Sequence, residues 1–535
     1  MRTNNSIINS IATLISNILS FIIAFVAQAI FIRILGAEYL GLNGLFTNLL
    51  SMLSIFELGI GNAIVFNLYK PIAENNEKKI NSLMRFYKKT YNIIAFVILV
   101  AGILLMPFLK YIVTTNIKEI NIYLVYVLFL ISTVSSYIMT YKRNLIIANQ
   151  KNYIINIIHM GYLVILNLSQ LLIIYFTKNY CIYLIAKICC QLFENIIINI
   201  KANNDYKYLN IKSADKLDKK TEKDIFSRVR ALFFHKIGGI IINGTDNIII
   251  SIFLGLQQVG LYTNYYTITS ALTSLFGQII SSATASVGNL LISNNQKKSY
   301  EVFDKMRFLN SWISIFSAVS FMVIVQPFIR IWVGEEYLIS IGTVAVITFN
   351  YFQKMQRISY STFKDSAGIW REDKFVPLIE SLLNIIFSII CLKLFGLAGV
   401  LMGTIISGLA LWCYSYPKFV YKKLFNRSYK DYIIETINYI IIFILTAIPT
   451  YFISKAIIVN NIFLKLIINV IICLIIPNVI LIIIFRKNKN YNYFKELIKN
   501  CIARLYINNK KIKMLIYCFI IIKIKLLCGF NNIHF

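Results

Sequence analysis

A chain of 535 residues that is 58% hydrophobic and only 14% charged, with mean hydropathy +0.68, is too apolar to be a soluble protein of ordinary composition. Its formal charge of +31 would direct a soluble protein to nucleic acid. Lys and Arg instead fall in short clusters between long apolar runs, which excludes nucleic acid as a partner and points to a membrane.

A helix needs about 20 largely apolar residues to cross about 30 Å of hydrocarbon. Taken in chain order, runs of that kind fall at 7–32, 43–66, 91–113, 121–141, 153–176, 181–200, 232–253, 261–286, 310–330, 339–361, 376–394, 398–417, 433–454 and 462–485. Fourteen spans are therefore predicted. The first, Ile7 to Ile32, is too long for the apolar core of a signal peptide and lacks a small-x-small exit site. With the N-terminus placed in the cytoplasm, 44 of the 54 basic residues fall in cytoplasmic segments, so both termini are predicted to be cytoplasmic. Nine scattered cysteines, none in C-x-x-C spacing, read as buried inert thiols.

Segment 201–230 carries Lys216, Asp218, Lys219, Lys220, Glu222, Lys223 and Asp224 and reads as a solvated cytoplasmic linker. On either side of it the sequence repeats. Leu35-Gly36-Ala37-Glu38-Tyr39-Leu40-Gly41-Leu42 aligns with Leu254-Gly255-Leu256-Gln257-Gln258-Val259-Gly260-Leu261. Asn75–Lys79 aligns with Asn294–Lys298, Met84-Arg85-Phe86 with Met306-Arg307-Phe308, and Pro107–Lys110 with Pro327–Arg330. The offsets are nearly constant and six spans separate each pair, so the repeats point the same way across the bilayer.

The predicted fold is an all-α integral membrane protein of about 14 transmembrane helices. Two parallel six-helix lobes, 1–200 and 231–418, are related by an axis along the membrane normal. Two extra helices follow at 419–485, then a basic tail at 486–535. In that tail Phe494, Leu497, Ile498, Cys501, Ile502 and Leu505 form the apolar stripe of an amphipathic helix expected to lie on the inner leaflet. Met514–Phe530 is short for a span and is also read as interfacial.

Four predicted spans carry polar stripes. Asn9, Thr13, Ser16, Asn17, Ser20 and Gln28 mark the first, and Asn43, Thr47, Ser51, Ser54, Glu57 and Gly61 the second. Asn243, Thr245 and Asp246 mark the seventh; Thr263, Thr267, Ser270, Ser274, Gln278 and Ser281 mark the eighth. Such residues pack helices in many membrane bundles; as four repeat-related stripes they are expected to line a hydrated cavity. Ionisable groups at membrane depth are costly and usually functional. Glu57, His159, Lys187, Glu194, Asp246, Lys354, Arg357 and Glu380 are the candidates. Lys187, Gln191 and Glu194 fall on one helical face. Arg33, Lys236 and Arg330 stand at span ends, where snorkelling is the plain reading.

These residues resemble polysaccharide flippases of the O-antigen type, within the multidrug/oligosaccharidyl-lipid/polysaccharide exporter superfamily. The likeness runs over about residues 1–485. It is carried by Phe56-Glu57-Leu58-Gly59-Ile60-Gly61, Asn67-Leu68-Tyr69-Lys70-Pro71, Thr245-Asp246-Asn247-Ile248-Ile249-Ile250 and Gly260-Leu261-Tyr262-Thr263-Asn264-Tyr265. Ile331–Tyr337 and Gly399–Thr404 add to it. The resemblance implies a multi-pass protein of the bacterial cytoplasmic membrane. It implies movement of an undecaprenyl-diphosphate-linked oligosaccharide from inner to outer leaflet, by alternating access, for O-antigen, lipopolysaccharide or capsule synthesis. The partners it implies are the lipid-linked glycan, membrane lipids and polysaccharide assembly proteins. Coupling to an H+ or Na+ gradient would fit the same family.

A lipid diphosphate is anionic, so basic groups can offset its removal from water. Arg33, Lys187, Lys236, Lys354 and Arg357 are assigned to it, and Glu57, Asp246, Glu194 and Glu380 to ion coupling or gating. Asn9, Thr13, Asn17, Gln28, Asn43, Thr47, Ser51, Asn243, Thr267, Ser274 and Gln278 are expected to line the path. With three histidines in the chain and no phosphate loop, metal cluster or nucleophile motif, neither an enzyme, a metal nor an organic cofactor is expected. A multidrug or cation antiporter of the same superfamily, or a flippase for a peptidoglycan or teichoic precursor, is the alternative.

Overall fold

A computed structural model of the chain describes the backbone of residues 2–57, 60–114, 120–211, 214–281, 283–292, 295–369 and 372–507. Side chains are described over the same residues except 2–15, 62, 227–236, 243, 285 and 501–507. Two compact units divide the chain, Met1–Thr263 and Asn264–Phe535.

The first unit holds α1 (Arg2–Leu35), α2 (Ala37–Leu53), α3 (Ile60–Ala73), α4 (Glu77–Leu105), α5 (Leu109–Ile112), α6 (Ile122–Tyr137), α7 (Thr140–Ala148), α8 (Asn152–Thr177), α9 (Tyr180–Asp205) and α10 (Lys219–Leu254). It ends within α11 (Leu256–Ser281). The second unit continues with α12 (Thr284–Ile292), α13 (Gln296–Trp332), α14 (Ile341–Ser366), α15 (Val376–Phe395) and α16 (Leu397–Ala410). A π-helical run, Leu411–Leu424, extends α16 before α17 (Tyr429–Ala456), α18 (Ile462–Phe485) and α19 (Lys489–Ile507).

Among the described residues, thirteen helical stretches are long and apolar enough to cross a membrane. Their outer faces confirm the solvent: Ile441, Ile444, Leu445 and Ile448 on α17 and Ile467, Ile471, Leu474 and Ile475 on α18 are all exposed. An apolar surface of that extent is a lipid-facing surface, so the chain is a multi-pass membrane protein. The predicted span 339–361 is the one that fails the count of fourteen. It forms as α14, but Asn350, Gln353, Gln356 and Arg357 make it too polar. Its neighbours meet part of that polarity: Ser311 Oγ donates to Gln356 Oε1 (2.9 Å), Gln353 Nε2 to the Ile405 carbonyl (3.1 Å) and Arg357 Nη2 to the Gly408 carbonyl (3.1 Å). A helix enclosed by protein tolerates what lipid would not.

Three predicted spans are broken. The span 43–66 becomes α2, a 3-10 turn Ser54–Glu57, and α3. The span 121–141 ends at Tyr137, turns through Ile138 and the left-handed Met139 (φ +67°), and resumes as α7. The span 261–286 divides into α11 and α12. The linker also differs from a solvated loop. Only 206–218 lies between helices, and α4 holds it: Asn81 Nδ2 donates to the Tyr208 carbonyl (3.0 Å) and Asn210 N to Asn81 Oδ1 (2.8 Å).

The repeat is visible in local geometry. Gly36 (φ 91°, ψ 177°) and Gly255 (φ 85°, ψ 167°) adopt the same glycine-only conformation ahead of α2 and α11. Asn76 caps α4 by accepting from Lys79 N, and its mate Asn295 caps α13 by accepting from Lys298 N, both at 2.9 Å. In the tail, the predicted amphipathic helix forms as α19. Phe494 and Leu497 of its stripe are buried, Phe494 stacking on Phe308 of α13, while Ile498 stays exposed. Met514–Phe530 lies outside the described residues.

Candidate functional site

In the first unit the polar face of α9 lies along the broken pair α6–α7. Lys187 sets its ammonium 5.3 Å from the centre of the Phe129 ring. One turn on, Gln191 Oε1 accepts from Ser132 Oγ (3.0 Å). Next, the buried Glu194 Oε1 accepts from Arg143 Nη2 and stands against His159 Nδ1, each at 3.0 Å. Asn195 Nδ2 donates to the Ser135 carbonyl (3.1 Å), one of the acceptors freed where α6 ends. Glu194 is thus a buried carboxylate between a permanent cation and a titratable imidazole.

On the other side of α7, Asn144 Nδ2 donates to the Tyr91 hydroxyl (3.2 Å). Glu57 closes the 3-10 turn after α2, and a methyl group on Gly61 would stand 3.2 Å from Glu57 Oε1 and 3.1 Å from the Tyr91 hydroxyl. Gly61 therefore lets Glu57, Tyr91 and Asn144 converge at a helix break. Broken helices with polar side chains at the break are the usual build of a transporter site. Asp246 is buried on α10 beside Thr245 and Asn247.

In the second unit Arg357 of α14 pairs with the buried Glu380 of α15 and donates to the Gly408 carbonyl (3.1 Å). Gln353, one turn earlier, donates to the Ile405 carbonyl (3.1 Å). The absence of a side chain at Gly408 admits both: a Cβ there would be 2.7 Å from Gln353 Oε1 and 2.8 Å from Arg357 Nη2. The residues assigned separately to diphosphate binding and to gating here form one ion pair. Lys354 is half-buried on the same helix.

The remaining assigned residues are not gathered by the structure into either cluster. Arg33 is exposed at the last turn of α1. Thr47 and Ser51 are exposed on α2 and Ser274 on α11; Asn17, Gln28, Asn43, Thr267 and Gln278 are half-buried. Several stripe hydroxyls bond back to their own helix, Ser51 Oγ to the Asn48 carbonyl and Thr245 Oγ1 to the Ile241 carbonyl among them. The side chains of Asn9, Thr13, Lys236 and Asn243 lie outside the described residues.

Six buried or half-buried charges that pair in the structure, Arg143, Asp304, Arg307, Lys364, Asp373 and Glu435, were not anticipated. Arg143 completes the Glu194 cluster. Arg307 pairs with Asp304 (2.7 Å) and Glu435, its guanidinium 5.6 Å from the Tyr439 ring centre. Lys364 pairs with the fully buried Asp373, to which Ser415 Oγ also donates (2.9 Å). All the basic members were read as cytoplasmic loop charge. The match of Met306-Arg307-Phe308 to Met84-Arg85-Phe86 was the one signal that marked Arg307.

These features define a multi-pass helical membrane protein with broken spans and ion pairs buried among them. Within that class, the chain belongs to the polysaccharide biosynthesis protein family, whose model matches residues 6–285. Its fold is similar to that of the lipid II flippase MurJ in an inward closed conformation, with TM-score 0.64 and 16% identity over 90% of this chain and 99% of that one. It is also similar to a multidrug resistance MATE family transporter in an inward-facing conformation, with TM-score 0.58 and 14% identity over 73% and 92% of the two chains. A MATE transporter of Vibrio cholerae gives TM-score 0.50 at 13% identity, over 79% and 100%. No curated protein matches the chain.

Proposed function

We propose that this protein is a flippase that carries an undecaprenyl-diphosphate-linked oligosaccharide from the inner to the outer leaflet of a bacterial cytoplasmic membrane. It does so by alternating access, with both termini cytoplasmic, for synthesis of a surface polysaccharide such as O-antigen or capsule. The observation that carries the reading is membership of the polysaccharide biosynthesis family by a multi-pass chain whose fold is shared with a lipid flippase.

In this reading the protein moves its substrate without chemical change. Arg33, Lys187, Lys236, Lys354 and Arg357 offset the diphosphate charge, and the polar stripes hydrate the glycan. Glu57, Asp246, Glu194 and Glu380 gate or couple the cycle to an H+ or Na+ gradient. The contact of Glu194 with both Arg143 and His159 is the geometry that favours it as a gating residue.

The MurJ likeness favours one second reading, a flippase for a peptidoglycan precursor. Deleting the gene and assaying surface polysaccharide, lipid-linked repeats and peptidoglycan precursors separates the two. Loss of polymer with lipid-linked repeats held on the cytoplasmic side supports the proposal. Accumulation of the peptidoglycan precursor instead favours the second reading. Normal levels of both would reject translocation of either, and sensitivity to cationic compounds would then favour a drug exporter.

A further inference from the structure

The α17–α18 pair has no counterpart in the sequence repeat, and its turn closes over a cavity of ≈ 300 Å³ in the second unit. Gln326 and Arg330 of α13, Ser454 and Lys455 at the end of α17, and Lys465 and Asn469 of α18 supply its polar wall. Three of these are basic, and among the described residues no carboxylate lines the cavity.

Three of the neutral groups are already committed. Gln326 Nε2 donates to the Ile339 carbonyl (2.8 Å), Ser454 Oγ to Asn469 Oδ1 (2.7 Å), and Asn469 Nδ2 to the Val323 carbonyl (3.3 Å). The cations are not neutralised to the same degree. Lys465 donates to the Ser454 and Ile457 carbonyls at the end of α17, which fixes its ammonium without cancelling its charge. Arg330 shares the exposed Glu335 at the rim. For Lys455 no ion pair occurs among the described residues. A recess bordered by apolar side chains and lined by excess positive charge concentrates anions. Ammonium and guanidinium donors converging on one space suit an oxyanion with several acceptor oxygens, which is the chemistry of phosphate.

The surroundings favour the source of that phosphate. Phe452 and Ile453 of α17 and Phe463, Leu464 and Ile467 of α18 are exposed at the same end of the pair, continuous with the lipid-facing surface. We propose that this cavity binds the phosphate of an anionic membrane lipid whose chains lie along α17 and α18. The site gives the unrepeated helix pair a role, and it stands whether or not the chain moves a lipid-linked glycan.

The test uses the full chain in nanodiscs of phosphatidylcholine, with and without phosphatidylglycerol, and in phosphatidylcholine with added inorganic phosphate. Bound lipid is counted by native mass spectrometry and Tm is measured in each condition. Phosphatidylglycerol should raise the wild-type Tm and be retained, while R330Q/K455Q should lose affinity about tenfold or more per cation removed, the effect of one charge-assisted hydrogen bond. Arg330 and Lys455 are chosen because both are exposed and neither caps a helix; R330K/K455R should keep the response and guard against misfolding. A Tm rise with inorganic phosphate equal to that with phosphatidylglycerol would overturn the lipid as the source. Identical behaviour of wild type and R330Q/K455Q in all three conditions would overturn the site.

Discussion

Gly41 and Gly260, repeat mates in the sequence, meet backbone to backbone where the N-terminal turns of α2 and α11 cross. A methyl group on Gly41 would overlap the Leu256 carbonyl and stand 3.2 Å from Gly260 N. A methyl group on Gly260 would overlap the Ala37 carbonyl, and Ala37 is the repeat mate of Leu256. One turn further along, Gly44 packs on its own mate, Thr263, whose hydroxyl would be 2.9 Å from a Cβ at Gly44. The contact is reciprocal about a local two-fold, so the repeat in the sequence records a surface that pairs with its own copy.

Gly41→Ala and Gly260→Ala should each destabilise the protein by about 1–3 kcal/mol, because the obstacle is backbone and cannot rotate away. Gly161→Ala, which meets open space, should be neutral or stabilising by up to about 1 kcal/mol. Thermal unfolding of the purified protein measures all three. Equal Tm values for Gly41→Ala and Gly161→Ala would refute the crossing.

Glu194 should behave as one unit with Arg143. Glu194→Ala strands the guanidinium among helices and should cost roughly 3 kcal/mol, the lower end for a broken buried pair, since Arg143 keeps some exposure. Arg143→Gln combined with Glu194→Gln should be less destabilised than the sum of the singles, by about 1–3 kcal/mol. Strict additivity in that cycle would show that the two do not interact. His159→Asn should cost little in stability, because the imidazole is 41% exposed.

Thirteen of the fourteen spans, the repeat and the α9 face were legible because each rests on periodicity or length. The face formed by Lys187, Gln191 and Glu194 was read from spacing alone, but its partners on α6–α7 were not. Arg143, Arg307 and Lys364 were hidden by the same reasoning that gave the topology. Counting a basic residue as loop charge assumes that it ends in water, whereas these three pair with carboxylates packed between helices. The breaks at Glu57 and Met139 were illegible for a related reason: neither carries a proline, and at the second the interrupted backbone is stabilised by a neighbour on another helix, Asn195. Asn350, Gln353 and Gln356 lowered the apolarity of α14 without preventing it from forming.

Arg357 should not tolerate lysine. Its guanidinium serves Glu380 and the Gly408 carbonyl together, a forked geometry that an ammonium reproduces poorly. Arg357→Lys should therefore destabilise by about 1–3 kcal/mol, the size of a lost buried hydrogen bond. Gly408→Ala should mimic it by crowding both Gln353 and Arg357. Unfolding midpoints in detergent decide the matter, and a lysine variant as stable as wild type would show that charge alone suffices.

The linker should loosen in acid. Asp218 caps α10 by accepting from Thr221 N (2.9 Å), and the Lys79 ammonium on α4 also donates to it. The hydrogen bond from Lys79 holds its carboxyl well below the usual carboxylate range. A carboxyl whose folded value is depressed contributes stability above its unfolded pKa of about 3.9, and loses that contribution as pH falls through that value toward the folded one. Amide hydrogen-exchange protection across 206–218 and the first turn of α10 should thus be constant from about pH 7 to about pH 5, and should fall below about pH 4. Asp218→Asn keeps a good N-cap but lacks the titrating group, so its protection should be lower near neutrality and flat with pH. Wild-type protection that stayed flat through the same acid range would separate the Lys79–Asp218 contact from the stability of the linker.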